Sequence, residues 1–180
     1  MSRFIATSIP GCFRIELKSM SDERGSLTKI FQASEFAQKG TALNFRESFI
    51  SRSQKGVLRG LHFQLPPHDQ TKGVLCLAGS VFDVVLDLRK ESTAYIKWIS
   101  FELDHMSPTM ILIPRGCAHG FYVTGSSADL LYMTETEHHP DSDSGLLWNS
   151  AEIIWPFTDA PLLSGRDAQF APLLEFASPF

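Results

Sequence analysis

The sequence predicts a mainly β protein, a sandwich or barrel of the jelly-roll type, on three observations. Strand-like apolar runs recur at short, even spacing and are joined by Gly and Pro turns. Phenylalanine is abundant, at 14 in 180 residues, which suits an aromatic β core. Sustained helical periodicity is scarce.

The elements are taken in chain order. Phe13 to Leu17 reads as a first strand, Ser21 to Ser26 as a turn, and Leu27 to Phe31 as a strand. Ser34 to Lys39 reads as a short helix with Ser34 as N-cap and Gly40 past its end. Asn44 to Ser53 is extended, and Gln54 to Gly56 makes a hairpin turn. Val57 to Gln64 is a strand with Gly60 inside it. Arg59 and His62 have opposite parity and would face opposite sides of a regular strand; a bulge at Gly60 would bring both to one side. Leu65 to Gln70 is a loop, Lys72 to Leu77 a strand, and Ala78 to Ser80 a turn. Val81 to Arg89 alternates most clearly, and Asp83 in so apolar a run should face solvent or a polar cavity. Tyr95 to Leu103, Thr109 to Ile113, Ala118 to Thr124 and Asp129 to Glu135 complete the strands. From Glu137 the chain reads as polar loop. Short apolar segments follow near Leu146 and Ile153, and then a short helix near Ser164, where Ser164 and Asp167 fit a capping box.

The length suits one domain with a full hydrophobic core. A net charge of −4 and a pI near 5.8 argue against nucleic acid as the main partner, while a local basic pocket for a small anion stays open. Cys12, Cys76 and Cys117 are odd in number and sit in apolar contexts, so they read as reduced core residues of a cytoplasmic protein. No stretch has the apolar run of a signal peptide or a membrane span.

Ser51 to Gly79 sets Arg59, His62, Gln64, His68 and Lys72 among apolar strand residues. Buried polar side chains need partners or form a site. Taken singly, each has a bland explanation. His62 is either a hydrogen-bonded core histidine or a proton acceptor. Lys72 is an edge-strand charge or a fixed cation facing a developing anion. Tyr132 is a core aromatic or a proton donor, His119 sits at a turn-to-strand junction, and Asp167 caps a helix. Metal ligation finds no His-x-His pair and no carboxylate at a persuasive spacing.

Together the motifs resemble the dTDP-4-dehydrorhamnose 3,5-epimerase family. The matching pieces are Asp22 to Gly25, Ser51 to Ser53, Gly56 to Gln64, Lys72, Gly79, Asp83 to Arg89, Ile113 to Phe121, Tyr132, Gly145 to Asn149, Trp155 with Pro156, and Leu163 to Asp167. The resemblance spans nearly the whole chain. It implies a cupin-type β jelly roll (a double-stranded β-helix) with a few short helices, working without metal or organic cofactor. The implied partners are a nucleoside-diphospho-4-keto-6-deoxy-hexose substrate and a second copy of the chain, with N-terminal strand exchange. It implies that His62 is the base, that Asp167 orients it, that Tyr132 is the acid on the other ring face, and that Lys72 holds the enolate oxygen. Asp83 and His119 would line the pocket, and Arg59 and Arg24 would meet the diphosphate, Arg24 arriving from the partner. Leu27, Lys29, Glu47, Ser51, Gln64, His138 and Asp143 complete the implied substrate contacts.

The sequence departs from the family pattern at the nucleotide end. An aromatic becomes Leu27, an acid becomes Lys29, a Gln-Asp-Asn run becomes Glu47, Ser48 and Phe49, and a tyrosine becomes His138. An ammonium at Lys29 would suit the N3 acceptor of cytosine better than the N3–H of thymine, which brings a CDP-sugar into contention. The same scaffold could also house a single-carbon epimerase, a sugar-ketone isomerase or a non-catalytic sugar-nucleotide binder. Retention of His62, Asp167, Lys72 and Tyr132 speaks for chemistry.

Overall fold

The computed structural model describes residues 1–157 and 159–180. Its strands are β1 (Arg3–Ala6), β2 (Phe13–Glu16), β3 (Ser19–Asp22), β4 (Gly25–Thr28), β5 (Glu47–Gln54), β6 (Leu58–Gln64), β7 (Lys72–Asp87), β8 (Trp98–Asp104), β9 (Thr109–Ile113), β10 (Cys117–Thr134) and β11 (Asp143–Gly145). One helix, α1 (Ala33–Gln38), and short 3₁₀ turns complete the described elements. Among the described residues, the hairpin β3–β4 pairs only with itself, and the other nine strands form one antiparallel hydrogen-bonded system.

That system becomes two layers because β7 and β10 are long enough to run through both. The first part of β7 pairs with β9, Lys72 opposite Ile113. Its second part pairs with β8, Val81 opposite Leu103. β10 does the same, pairing with β6 early and with β5 late. One layer therefore holds β1, β2, β9, the start of β7, the end of β10, and β5. The other holds β8, the end of β7, the start of β10, β6 and β11. This is the expected jelly roll.

The expected turn at Ala78 to Ser80 is instead a corner inside β7. Gly79 has φ +73°, and an added Cβ would lie 1.8 Å from the Ser127 carbonyl oxygen. Only glycine lets the two bent strands cross that closely. The two strands read at Ala118 to Thr124 and Asp129 to Glu135 are likewise one strand, with its register shifted between Val123 and Ala128. Local sequence shows the glycine and the polar interruption; whether the chain turns back or bends across depends on the partner strand.

Other boundaries move for local reasons. β3 and β4 extend into the stretch read as a turn, and β4 ends at Thr28 rather than Phe31. Gln32, in extended conformation, takes the N-cap place of α1, so Ser34 lies inside the helix. Gly40 follows the C-cap at φ +75°, as expected. β8 starts after Ile96, whose φ of +60° breaks the strand read from Tyr95. β1 and β11 carry weak sequence signals: the first is short and half-exposed, and the second is polar.

One buried cluster draws on both layers, and two others each seal one layer against its outer segments. Val74, Val85, Ile111, Phe121 and Leu130 belong to one core. Leu58, Leu61, Leu86 and Trp155 belong to a second, which seats the C-terminal segment through Phe176 and Phe180. Phe36 anchors α1 on Ile15, Leu75 and Met110. Cys12, Cys76 and Cys117 are buried free thiols; burial pushes Cys12 up to about 12 and Cys76 up to about 11.

Candidate active site

A cleft of about 230 Å³ opens between the two layers. Strand periodicity explains much of its lining. Glu47, Phe49 and Ser51 alternate along β5 and share one face, and all three border the cleft. The parity conflict between Arg59 and His62 is resolved by the expected bulge. His62 pairs with His119 and Arg59 with Phe121, so β6 advances three residues against two on β10. The extra residue is taken up at Gly60, at φ +130°, where a Cβ would meet Gly120 Cα at 2.6 Å. Arg59 and His62 both line the cleft.

His62 rises from β6 in one layer, whereas Lys72 and Tyr132 come from the β7 and β10 halves of the other. His62 Nε2 lies 3.0 Å from Asp167 Oδ1. Ser164 Oγ donates to the same oxygen at 2.8 Å, and the Gly60 N–H donates to Oδ2 at 3.1 Å. Half of the expected Ser164–Asp167 box is present: the Asp167 N–H donates to Ser164 Oγ at 3.0 Å, but the Asp167 carboxylate accepts from the Ser164 hydroxyl rather than from its backbone N–H, and the 3₁₀ turn begins at Asp167 with Arg166 in the N-cap place. Burial alone would raise the Asp167 carboxyl, but these donors and the His62 charge outweigh it and hold it at about 2. With Asp167 ionised, the Nε2 hydrogen of His62 is fixed toward it, and Nδ1 is left as the basic nitrogen.

Lys72 is buried, and its Nζ donates to the His62 carbonyl at 3.2 Å. Desolvation pulls its ammonium down to about 8, against the weaker pull of Asp143 and Cys117. Tyr132 is buried too. Burial and then the Asp83 charge push its phenol up, while nearby Ser51 and Arg59 act the other way, so it stays protonated at neutral pH. Asp83 does not reach the cleft surface. It stands behind His119, with Oδ2 at 2.7 Å from Nε2, both side chains buried.

Gln64, Glu47, His138 and Asp143 line the cleft as expected. Gln64 is already committed: its amide donates to the His68 carbonyl at 2.8 Å and accepts from the His139 N–H at 2.6 Å, tying down the adjoining loops. Glu47 accepts from the His138 N–H at 2.6 Å. Arg59 stays exposed at the mouth, with Nε donating to Ser53 Oγ at 3.0 Å.

Arg24, Leu27 and Lys29 do not line this cleft within one chain. They lie on or beside the exposed β3–β4 hairpin, where Arg24 pairs with Asp22 and Lys29 donates to Gln32 Oε1 at 3.2 Å. Six lining residues were not read as site residues from the sequence: Phe49, Phe63, Gln70, Phe121, Thr134 and Arg166. Arg166 forks onto Asp143 and lies 5.2 Å over the Phe170 ring; its place beside Asp167 was the available signal. Phe49 would have followed from alternation with Glu47 and Ser51. Among the described residues, no group of three or more His, Cys, Asp or Glu could hold a metal ion, and no helix is long and apolar enough to cross a membrane.

Comparison with known proteins agrees with this geometry. A family profile described as dTDP-4-dehydrorhamnose 3,5-epimerase matches residues 6–175. The chain is 39% identical over 176 residues to the dTDP-4-dehydrorhamnose 3,5-epimerase of Salmonella typhimurium, covering 96% of each. Against the Escherichia coli K12 protein of the same name it is 38% identical over 174 residues, covering 95% of this chain and 94% of that one. A dTDP-6-deoxy-D-glucose-3,5-epimerase from Legionella pneumophila, solved with dTDP-4-keto-L-rhamnose, superposes with a TM-score of 0.94 at 37% identity over 98% of this chain and 95% of that one. A 4-keto-6-deoxy sugar epimerase from the novobiocin cluster of Streptomyces spheroides gives 0.92 at 34%, over 97% and 89%.

Proposed function

The chain belongs to the dTDP-4-dehydrorhamnose 3,5-epimerase family, and we propose that it epimerises a dTDP-4-keto-6-deoxy-hexose by proton transfer at C3 and C5. It is an isomerase, as its relatives are. The observation that carries the residue roles is the placement of His62 and Tyr132 on opposing layers of one cleft, with Lys72 beside them.

The 4-keto group acidifies the neighbouring C–H bonds. His62 removes one proton, and the electrons move onto the carbonyl oxygen as an enolate. Asp167 supports the resulting imidazolium. The buried Lys72 ammonium faces the developing oxyanion, and a fixed charge counts most where it is shielded from solvent. Tyr132 then gives its proton to the carbon from the opposite face. Its raised pKa keeps that proton in place until a strongly basic carbon forms. Proton exchange with solvent resets the pair, and a second round serves the other carbon.

The cleft is smaller than the ~300 Å³ typical of whole drug-sized ligands. It suits the sugar ring, with the diphosphate reaching Arg59 at the mouth. Its guanidinium suits phosphate oxygens by bidentate geometry. Arg24, Leu27 and Lys29 complete the nucleotide end in a homodimer, through exchange of the β3–β4 hairpin. Support for exchange is that, among the described residues, the hairpin pairs only with itself and leaves Met20 and Leu27 exposed. A CDP-sugar substrate gains no support: Lys29 is engaged by Gln32, and the relatives named above carry dTDP or unspecified 4-keto-6-deoxy sugar names. Buried thiols fit a reducing cytoplasm.

NMR of dTDP-4-keto-6-deoxyglucose in D2O tests the roles. Wild-type protein should incorporate deuterium at C3 and C5 and invert both. His62→Ala should lose exchange at both carbons while keeping its fold; full exchange in that variant would remove His62 as the base.

A further inference from the structure

The proposed chemistry asks the phenol of Tyr132 to meet one face of a flat enolate, so the tilt of its ring matters. Ser51 and Arg59 lie near the hydroxyl, and two other rings pack on the phenol ring itself. Phe49 is its cross-strand partner on β5, and the two rings stack in parallel, 4.7 Å apart at 9°. His119 meets the Tyr132 ring in a T-shaped contact, at 5.9 Å and 72°. Phe49 lines the same cleft, yet it is 46% exposed, a large apolar surface left in water. Its inner face covers Tyr132. The position is also one where this chain departs from the family pattern.

We propose that Phe49 is a positioning residue for proton delivery: its ring fixes the tilt of the Tyr132 phenol and keeps water from the inverting face of the enolate. The inference rests on Tyr132 being the acid. An enolate formed by His62 has two fates. Return of a proton from the His62 side gives exchange without inversion; delivery from Tyr132 gives inversion. Loosening the phenol shifts this partition without touching the base. Were the whole energy of a stacked aromatic pair to act on that partition, the shift would be at most roughly 2- to 12-fold.

The test uses the full chain and the same NMR assay, reading the ratio of deuterium incorporation to inversion. Phe49→Leu keeps apolar bulk and removes the stack; Phe49→Tyr restores a ring. The expected result is a ratio raised severalfold in Phe49→Leu, near wild type in Phe49→Tyr, with KM little changed. A Phe49→Leu variant that loses exchange and inversion in equal proportion, or keeps the wild-type ratio, overturns the proposal. Tyr132→Phe separates the premise: if it still inverts at the wild-type rate, the reading of Tyr132 as acid fails and the proposal with it. If Tyr132→Phe exchanges without inverting while Phe49→Leu behaves as wild type, only the proposal fails.

Discussion

Lys72 should cost the protein stability in return for its charge, and the cost can be measured. The ammonium is buried with three N–H donors and, among the described residues, one protein acceptor, the His62 carbonyl. Its pKa falls from 10.5 to about 8, which corresponds to about 3 kcal/mol against the charged folded state. Below about pH 8 both folded and unfolded chains hold the proton, and the folded state bears the full penalty. Between about 8 and 10.5 the folded state has lost its proton while the unfolded state keeps it, so wild-type stability rises with pH there. Lys72→Met fills similar volume without charge. It should be more stable than wild type by up to about 3 kcal/mol at pH 7, with the gain shrinking by pH 10. Urea unfolding at the two pH values reads both numbers. Turnover should fall roughly 10²- to 10³-fold, and wild-type activity should decline as pH rises through about 8. A Lys72→Met variant less stable at pH 7, or a gain that does not change with pH, would refute the argument.

Asp167→Asn should keep the fold and lower turnover roughly 10²- to 10⁴-fold in steady-state assays, because the amide no longer stabilises the His62 imidazolium. Asp167 has a folded pKa of about 2 against 3.8, so its stabilisation is complete above about 4 and lost as pH falls through about 2. The variant should therefore show a shallower fall in urea midpoint between pH 5 and pH 2.5 than wild type. Gly60→Ala should destabilise by more than about 2 kcal/mol, since φ +130° and a 2.6 Å approach to Gly120 leave no room for a methyl. Thermal melting reads that loss, and unchanged melting would mean that the bulge tolerates a side chain.

Some of this structure was legible in the residues. Strand spacing and turn chemistry fix the fold class, because period-2 alternation and Gly or Pro breaks are local properties. The parity conflict at Gly60 even located a bulge, since Arg59 and His62 had no other way to share a face. The half of the Ser164–Asp167 box that forms was equally local. Phe49 was within reach of the same alternation, but it is neither charged nor titratable and so gives no chemical signal of its own.

Tertiary structure decided what depends on two distant segments at once. Lys72 and Asp83 sit eleven residues apart on β7, and His119 and Tyr132 thirteen apart on β10. In each pair, regular alternation would send the two to opposite faces. The corner at Gly79 and the register shift near Val123 carry each strand from one layer to the other and reset that parity. Asp167 likewise meets His62 across 105 positions of chain. A sequence states which side chains are available and how they alternate; where two strands bend across each other is set by the layers they must join, and that bend brings the charges of this cleft together.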